Sequence, residues 1–258
     1  MTNKIQQQEN ETTSLNKNIF EEMMKAGVHY GRAKRFTHPL MKPFLLKTNK
    51  KIELFNLKIT LAKIKQCAAV IKNHLEQNKT ILFIGVAPAS QNPIQRIATT
   101  LNQPYVNFKW VGGFLTNFQT IQARLIYFKN LLQKEANNEL KDYFPKERSK
   151  IEKEIQKLKN IYSGVIDLNK LPDLTFIVNL NFPAHITAKR ESLKMKIPIM
   201  AITGSDNNIS NVDFIMPAND KAPKSINWII DKLIQEIKNN QTKTSEIKTD
   251  KPDSNNNQ

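Results

Sequence analysis

Five short apolar runs, separated by segments with helical periodicity, constrain the fold of this chain more than any other feature of its sequence. Residues 80–86 are almost continuously apolar, as expected for a strand that is covered on both faces. Between the runs, apolar residues recur every three or four positions, as in Leu61, Ile64 and Ala68, and this spacing predicts helices. The alternation predicts an α/β fold with a doubly wound, mostly parallel sheet. The other apolar runs are 104–108, 174–178, 197–202 and 212–216.

Residues 117–162 interrupt this alternation with two long helical patterns. Their apolar residues repeat in heptad-like seams, and a polar segment joins them. We interpret the pair as an antiparallel, coiled-coil-like α-helical hairpin that is inserted into the domain and protrudes from it. Arg148 with Glu152, and Lys150 with Glu154, have the i,i+4 spacing of ion pairs that stabilise a helix by a few tenths of a kcal/mol, roughly.

The two ends of the chain differ in composition from its centre. Residues 1–17 and 239–258 are rich in Asn, Gln, Lys, Thr and Ser and contain few large apolar side chains, so we predict that both are disordered tails. Residues 18–238 would then form a single α/β domain, with the helical hairpin as an insertion. Within this domain, residues 42–57 predict a short β-hairpin with its turn at positions 48–49.

The formal charge of +16 and the pI near 9.8 point to a polyanionic partner, either nucleic acid or an anionic membrane surface. The chain contains no apolar run of about 18 residues, which argues against a transmembrane helix. Cys67 is the one cysteine, so no intrachain disulfide can form. The four histidines lack the spacing of a zinc site, and we expect neither a metal nor another cofactor.

Residues 25–58 form a strongly basic segment, with nine lysines and arginines but a single acidic residue, Glu53. Such cations neutralise phosphates, and the interleaved rings can stack on unpaired bases of structured RNA. An uncompensated block of cations repels itself without a counter-surface, which favours binding over a solvated basic loop. Phe44 and Phe55 are instead interpreted as core residues. The candidate RNA-binding residues of the segment are Lys25, His29, Arg32, Lys34, Arg35, Lys42, Lys47, Lys50 and Lys51.

A second candidate RNA contact is the stretch 109–118, which joins a predicted strand to the first helix of the hairpin. Lys109 and Trp110 could contact RNA by a cation–π or stacking interaction. Alternatively, Trp110 is an anchor buried against the base of the hairpin, and the sequence leaves both interpretations open. The two glycines that follow allow a sharp turn, and Thr116 and Asn117 are residue types that favour a helix N-cap.

Sequence signs of catalysis are weak. The strand end at 84–90 has one glycine where a dinucleotide-binding loop has three, and it is not a Walker A loop. Asp206 and Asp213 could serve as acid–base or metal-binding groups, but we interpret both as helix or turn caps. The sequence contains no defensible Ser/His/Asp or Cys/His order, so an enzyme is not expected.

Several ordered motifs resemble the second protein of the small ribosomal subunit in its bacterial and organellar form. The stretch 109–117, Lys-Trp-Val-Gly-Gly-Phe-Leu-Thr-Asn, is similar to the Arg/Lys-Trp-Leu/Val-Gly-Gly-Met/Phe-Leu-Thr-Asn segment of that family. Residues 26–31 resemble its Ala-Gly-Val-His-Phe-Gly opening, and 171–174 its Leu-Pro-Asp signature. Residues 212–220 resemble its Val-Asp-Tyr-Pro-Ile-Pro-Ala/Gly-Asn-Asp segment, and the resemblance extends over 19–238.

Three segments depart from the family pattern. Residues 32–35 read Arg-Ala-Lys-Arg where the family usually has His-Gln-Thr-Arg. Residues 86–90 lack the cations that the family carries after the glycine corresponding to Gly85, which weakens the expectation of RNA contacts at that loop. Residues 204–208 replace the family's Asp-Thr-Asn-x-Asp-Pro loop.

The resemblance implies a flavodoxin-like sheet in a structural constituent of the small ribosomal subunit. The implied partners are small-subunit rRNA and other small-subunit ribosomal proteins, without a membrane partner and without a free homo-oligomer. Lys109, Trp110 and Asn117 join the basic segment as candidate rRNA-binding residues. The abundance of Lys, Asn and Ile suggests an A/T-rich genome and a ribosome of the plastid (chloroplast) stroma, with the bacterial cytoplasm or the mitochondrion as alternatives. The rival functions are a nucleotide- or sugar-phosphate-binding enzyme on a Rossmann-like sheet and a non-ribosomal RNA-binding adaptor.

Overall fold

The computed structural model describes residues 18–249, apart from the side chains of Lys47, of 141–142 and of 240–249. The predicted tail at 1–17 and the last residues, 250–258, lie outside the described residues. The strands are β1 (Tyr30–Ala33), β2 (Leu45–Asn49), β3 (Ile52–Phe55), β4 (Ile81–Ile84), β5 (Tyr105–Val106), β6 (Leu174–Val178), β7 (Ile199–Thr203) and β8 (Phe214–Pro217). The helices are α1 (18–25), α2 (Leu57–Glu76), α3 (Gln91–Thr100), α4 (Phe118–Ala136), α5 (Pro145–Tyr162), α6 (Pro183–Lys194) and α7 (Pro223–Thr249).

The main sheet has five parallel strands in the order β5-β4-β6-β7-β8. Counted along the chain, this is the 2-1-3-4-5 order of flavodoxin-like folds. Every residue of β4, β6 and β7 is buried, because helices cover both faces of the sheet. The predicted α/β class is confirmed, and each of the five predicted apolar runs overlaps one strand of this sheet.

Two hydrophobic cores lie on opposite faces of the main sheet. One face packs against α2, α3 and α7, and its centre includes Phe83, Phe176 and Met200. The other face packs against α6 and the base of the helical hairpin, and it includes Leu82 and Ile177. Neighbouring residues of one strand belong to different cores because successive side chains of a strand point to opposite faces.

The predicted helical hairpin is formed by α4 and α5. Its part near the sheet shares the second core, whereas Leu131, Leu140 and Ile155 form a small separate core farther along the pair. Arg148 makes the predicted ion pair with Glu152, at 2.7 Å between Nε and Oε1. Lys159 of α5 reaches Glu135 of α4 at 2.9 Å, which ties the two helices together.

A three-stranded antiparallel sheet, in the order β1-β3-β2, lies before the main sheet in the chain. The predicted β-hairpin is present as β2 and β3, but its turn was placed wrongly. Asn49 pairs with Ile52, so the turn consists of Lys50 and Lys51, both with positive φ (45° and 70°). The strand β1 was not predicted from the sequence.

The C-terminal helix extends farther than the composition predicts. Among its described side chains, the last buried apolar residue is Ile237, close to the predicted boundary at 238, but α7 continues to Thr249. Residues 239–249 contain neither glycine nor proline, so nothing in the sequence interrupts the intrahelical hydrogen bonds. Among residues 18–249, no helix combines the length and the apolar character needed to cross a bilayer.

Candidate nucleic-acid interface

The start of the basic segment is bound to the carboxyl edge of the main sheet. The Arg32 N–H donates to Oγ of Ser205 at 2.7 Å, and the His38 N–H donates to the Ser205 carbonyl at 2.9 Å. Farther along the same edge, the Asn219 N–H donates to the Val28 carbonyl at 3.0 Å. These contacts join residues that are far apart in sequence, and they fix the backbone that carries the cations.

Asp206 holds two cations at this edge. Its Oδ2 lies 3.0 Å from Nζ of Lys221 and 3.4 Å from Nε of Arg32. Burial by itself would raise the pKa of Asp206, but the hydrogen bond and charge of Lys221, with the charge of Arg32, lower it below its ordinary value. Asp206 is therefore ionised at neutral pH and partly neutralises Arg32.

A second carboxylate, Asp220, is buried beside Asp206. Burial and the charge of Asp206 raise the pKa of Asp220 to about 6. The Asn207 side-chain amide donates to Oδ1 of Asp206 and to Oδ2 of Asp220, both at 3.1 Å. A Cβ added at Gly204 would lie only 2.5 Å from Oδ1 of Asp220, so the carboxylates pack directly against the backbone.

Hydrogen bonds and ion pairs within the protein engage the acidic groups at this edge of the sheet. Asp213 accepts a hydrogen bond from the Ile199 N–H at 2.8 Å, a contact with the first residue of β7 and not the predicted helix or turn cap. Within residues 18–249, no group of three or more His, Cys, Asp or Glu side chains could hold a metal ion.

A buried histidine, His185, is hydrogen-bonded to the first residue of the strand-end loop at 86–90. The Val86 N–H donates to Nε2 of His185 at 2.8 Å, and Nδ1 of His185 lies 2.9 Å from the Asn179 carbonyl. Burial lowers the pKa of His185 to about 4, so the ring is neutral and its proton is on Nδ1. The sequence did not predict these two hydrogen bonds of His185. The available signal was the position of His185 at the start of α6, a helix that covers the sheet.

Most of the predicted basic residues are exposed. The single acidic residue of the segment 25–58, Glu53, is buried and accepts a hydrogen bond from the Thr48 hydroxyl at 2.9 Å. The Lys34 N–H donates to the Lys51 carbonyl at 2.9 Å, which brings the backbone at Lys34 next to the β2–β3 turn. We use the name basic layer for the exposed cations among the candidate RNA-binding residues of this segment, which are Lys25, Arg32, Lys34, Arg35, Lys42, Lys50 and Lys51.

The rings of the basic segment divide into exposed and packed groups. Phe36 is exposed, with the Arg35 guanidinium 4.6 Å above its ring centre, whereas Phe55 is buried as predicted. His29 stacks on Tyr30 with 4.0 Å between ring centres, and partial burial lowers its pKa. His29 is thus a partly buried ring packed beside Tyr30, and its predicted RNA contact stays a prediction.

Trp110 is an anchor in this structure. Only 6% of its surface is exposed, and its ring centre lies 5.0 Å from that of Phe114. Its indole N–H donates to Oε1 of Glu191 at 3.1 Å, and the Gly113 and Leu115 N–H groups donate to the same carboxylate at 2.9 Å. Burial and these hydrogen bonds favour the anchoring interpretation of Trp110 over stacking on a base.

Glu191 organises the whole 110–115 turn, and sequence reasoning missed it. The available signal was its position: it is the only acidic residue of α6, on a helix that covers the sheet. Of the other predicted contacts, Lys109 and Asn117 are exposed. Asn117 occupies the N-cap position of α4 without capping its backbone, because its Oδ1 accepts the Thr120 hydroxyl at 2.8 Å.

Comparison with known proteins identifies the family of this chain. The family model described as ribosomal protein S2 matches residues 23–240. The chain belongs to the ribosomal protein S2 family. A curated S2-family relative from Coprothermobacter proteolyticus, named small ribosomal subunit protein uS2, is 34% identical over 217 residues, which cover 84% of this chain and 80% of the relative. A relative of the same name from Porphyromonas gingivalis is 31% identical over 218 residues, which cover 84% of this chain and 77% of the relative.

Proposed function

We propose that this S2-family chain is a structural constituent of the small ribosomal subunit and that its basic layer binds small-subunit rRNA. The observation that carries the proposal is the exposure of Lys34, Arg35, Lys42, Lys50 and Lys51 beside a single acidic residue, which is buried. Cations in this arrangement gain free energy by replacing the counterions of phosphates. The relatives named small ribosomal subunit protein uS2 support the same role.

The arrangement of the sheet edge supports a binding role over turnover. In doubly wound enzymes the ligand occupies the crevice at the carboxyl ends of the strands. Here Ser205 and Asn219 at that edge are hydrogen-bonded to the chain's own residues 28–38. A nucleotide- or sugar-phosphate-binding enzyme would need this edge to be open, and we propose that the chain catalyses no reaction.

Further parts of the proposal concern neighbours and compartment. We propose that other small-subunit ribosomal proteins contact the chain and that it functions without membrane attachment or free homo-oligomers. The Lys-, Asn- and Ile-rich composition favours a plastid ribosome, whereas the bacterial relatives fit the alternative of a bacterial cytoplasm. The base composition of the surrounding genome tests this choice.

Co-sedimentation tests the ribosomal role. The chain should migrate with small subunits through a sucrose gradient at moderate salt, and mass spectrometry should identify it in that fraction. The variant Lys34→Gln with Arg35→Gln should shift part of the chain to the top of the gradient, because two phosphate contacts are lost. Arg32 is left unchanged because it also contacts Asp206, so its loss would disturb the sheet edge.

A matched variant controls for total charge. Lys65→Gln with Lys79→Gln removes two exposed cations that lie outside the basic layer, and it should leave co-sedimentation unchanged. Equal loss of both variants from the particles would show that only net charge matters. A chain that remains at the top of the gradient but still binds RNA would favour the adaptor, and a thermal shift induced by a nucleotide would favour the enzyme.

A further inference from the structure

A groove lies between the end of β5, the start of α3 and the base of the helical hairpin. Its volume is about 540 Å³, within the range of small-molecule sites. Phe128 and Leu132 of α4 supply apolar lining, and Tyr105 and Phe108 lie on the β5 side. Phe108 is 54% exposed, so its ring is accessible to another molecule. The basic layer does not include this groove.

The polar lining of the groove consists mainly of side-chain amides. The Asn107 amide N–H donates to Oε1 of Gln95 at 3.2 Å, which fixes the two groups side by side. This pairing leaves the Asn107 Oδ1 acceptor and the Gln95 amide donors for another molecule. Asn160 lies on the wall formed by α5. Adjacent amide donors and acceptors match the hydrogen-bonding edge of a nucleobase, as Asn and Gln match adenine.

The charge next to the groove is positive. Lys109 follows Phe108 directly, and both side chains are exposed. The lysine that lines the groove, Lys159, is paired with Glu135 at 2.9 Å. Lys109 is not a lining residue, but it adjoins Phe108 in the chain and is exposed to meet an external anion. An exposed ring next to a lysine provides one group for a base and one for its phosphate.

We propose that this groove binds an unpaired RNA base, which stacks on Phe108, is hydrogen-bonded by Asn107 and Gln95, and has its phosphate neutralised by Lys109. The inference rests on the proposed function, because it assigns a second contact to the same polyanion. A base in a loop or bulge fits the groove, whereas a base within a duplex cannot leave its stack to enter. A protein segment is the competing occupant, but the amide lining and the lysine favour the RNA base.

Fluorescence anisotropy with the full chain tests the proposal against two probes. The probes are a short single-stranded oligoadenylate and a blunt RNA duplex of equal charge. Phe108→Ala should weaken binding of the single strand roughly five- to a hundredfold, as expected for the loss of one stacked base, and leave binding of the duplex unchanged. Phe108→Tyr should retain the affinity because it keeps the ring. Lys109→Gln should reduce the salt slope for the single strand by about 0.7.

Phe144→Ala is the matched control, because it removes a ring that is 78% exposed and lies outside the groove. It should change neither affinity. Equal affinities of wild type and Phe108→Ala for the single strand, or equal losses for both probes, would overturn the groove as a base site while leaving rRNA binding by the basic layer intact. Failure of the wild type to bind either probe or to co-sediment would instead refute the proposed function.

A photo-cross-linking experiment in assembled subunits separates the two occupants. With p-benzoylphenylalanine placed at position 108, the proposal requires cross-links to an unpaired nucleotide of rRNA. Cross-links to another ribosomal protein would assign the groove to a protein segment and overturn the proposal.

Discussion

The β2–β3 turn offers a substitution that should raise stability and lower RNA affinity together. Lys50 and Lys51 occupy the two central positions of a two-residue hairpin turn, and both have positive φ. Such a turn favours Asn followed by Gly, because an L side chain strains the left-handed conformation. The double variant Lys50→Asn with Lys51→Gly therefore removes two cations and supplies the preferred turn residues at the same positions.

The stability change follows from the backbone. The left-handed conformation costs about 1–2 kcal/mol for an ordinary L residue, and glycine offsets part of this gain with an entropic cost of about 0.5–1 kcal/mol. We expect a net increase of about 1 kcal/mol in the free energy of unfolding. For a domain of this size, that corresponds to a rise of about 2–4 °C in Tm.

The change in RNA affinity follows from counterion release. Each lost phosphate contact reduces the slope of log K against log salt by roughly 0.7–0.9, so two contacts reduce it by roughly 1.4–1.8. If the wild type and the variant bind equally at 1 M salt, the variant should bind RNA roughly 25- to 60-fold more weakly than the wild type at 0.1 M salt. The opposite signs of the two effects exclude unfolding as the cause of weaker binding.

The assay combines thermal unfolding with filter binding of a small-subunit rRNA transcript over a salt series. The charge-matched control is Lys65→Gln with Lys79→Gln, which should leave the salt slope almost unchanged. A higher Tm with an unaltered slope would refute phosphate contact by Lys50 and Lys51. A lower Tm would refute the strain assigned to the turn.

Three further changes test the packing that positions the interface. Glu191→Ala should lower the free energy of unfolding by about 2–4 kcal/mol in urea, because buried donors, including the Trp110 indole N–H, lose their acceptor. Ile155→Ala should speed amide hydrogen exchange in the outer part of the hairpin, since it removes a residue of the small separate core at a cost of about 2–5 kcal/mol. Burial raises the pKa of Asp220 to about 6, above its ordinary value of 3.8, so the folded protein binds this proton more tightly than the unfolded chain does. Between these two pH values the stability should fall as the pH rises, and Asp220→Asn should remove that slope from urea titrations.

The strands of the main sheet could be predicted from local patterns of apolar residues in the sequence. The run 174–178 coincides with β6, because a strand covered on both faces leaves an uninterrupted apolar signature. The other runs located their strands with boundary differences of one or two residues. The run 197–202 begins two residues before β7, where Ile197 and Pro198 still belong to the loop. Periodicity likewise located the helical hairpin, since its seam repeats within each helix.

Contacts between distant parts of the chain were beyond such reasoning. The Glu191 carboxylate meets Trp110 across 81 positions of sequence, and the Arg32 N–H meets Ser205 across 173. Sequence spacing contains no information about either pairing. The turn at Lys50 and Lys51 was missed for a different reason, because neither residue favours positive φ and the pairing of Asn49 with Ile52 decides where the chain reverses.

The same long-range contacts explain how a doubly wound sheet can serve as a scaffold for RNA binding. Parallel strands deliver their loops to one edge, and in ligand-binding relatives of this architecture the crevice at that edge receives a small molecule. In this chain the edge groups Ser205, Asp206 and Asn219 bind residues 28–38 instead. Hydrogen bonds and an ion pair at this edge therefore fix the backbone of residues 28–38, and the exposed cations of this segment face solvent. A rigid base is what such cations require, because lysine and arginine lose less entropy on meeting a phosphate when their backbone is already fixed.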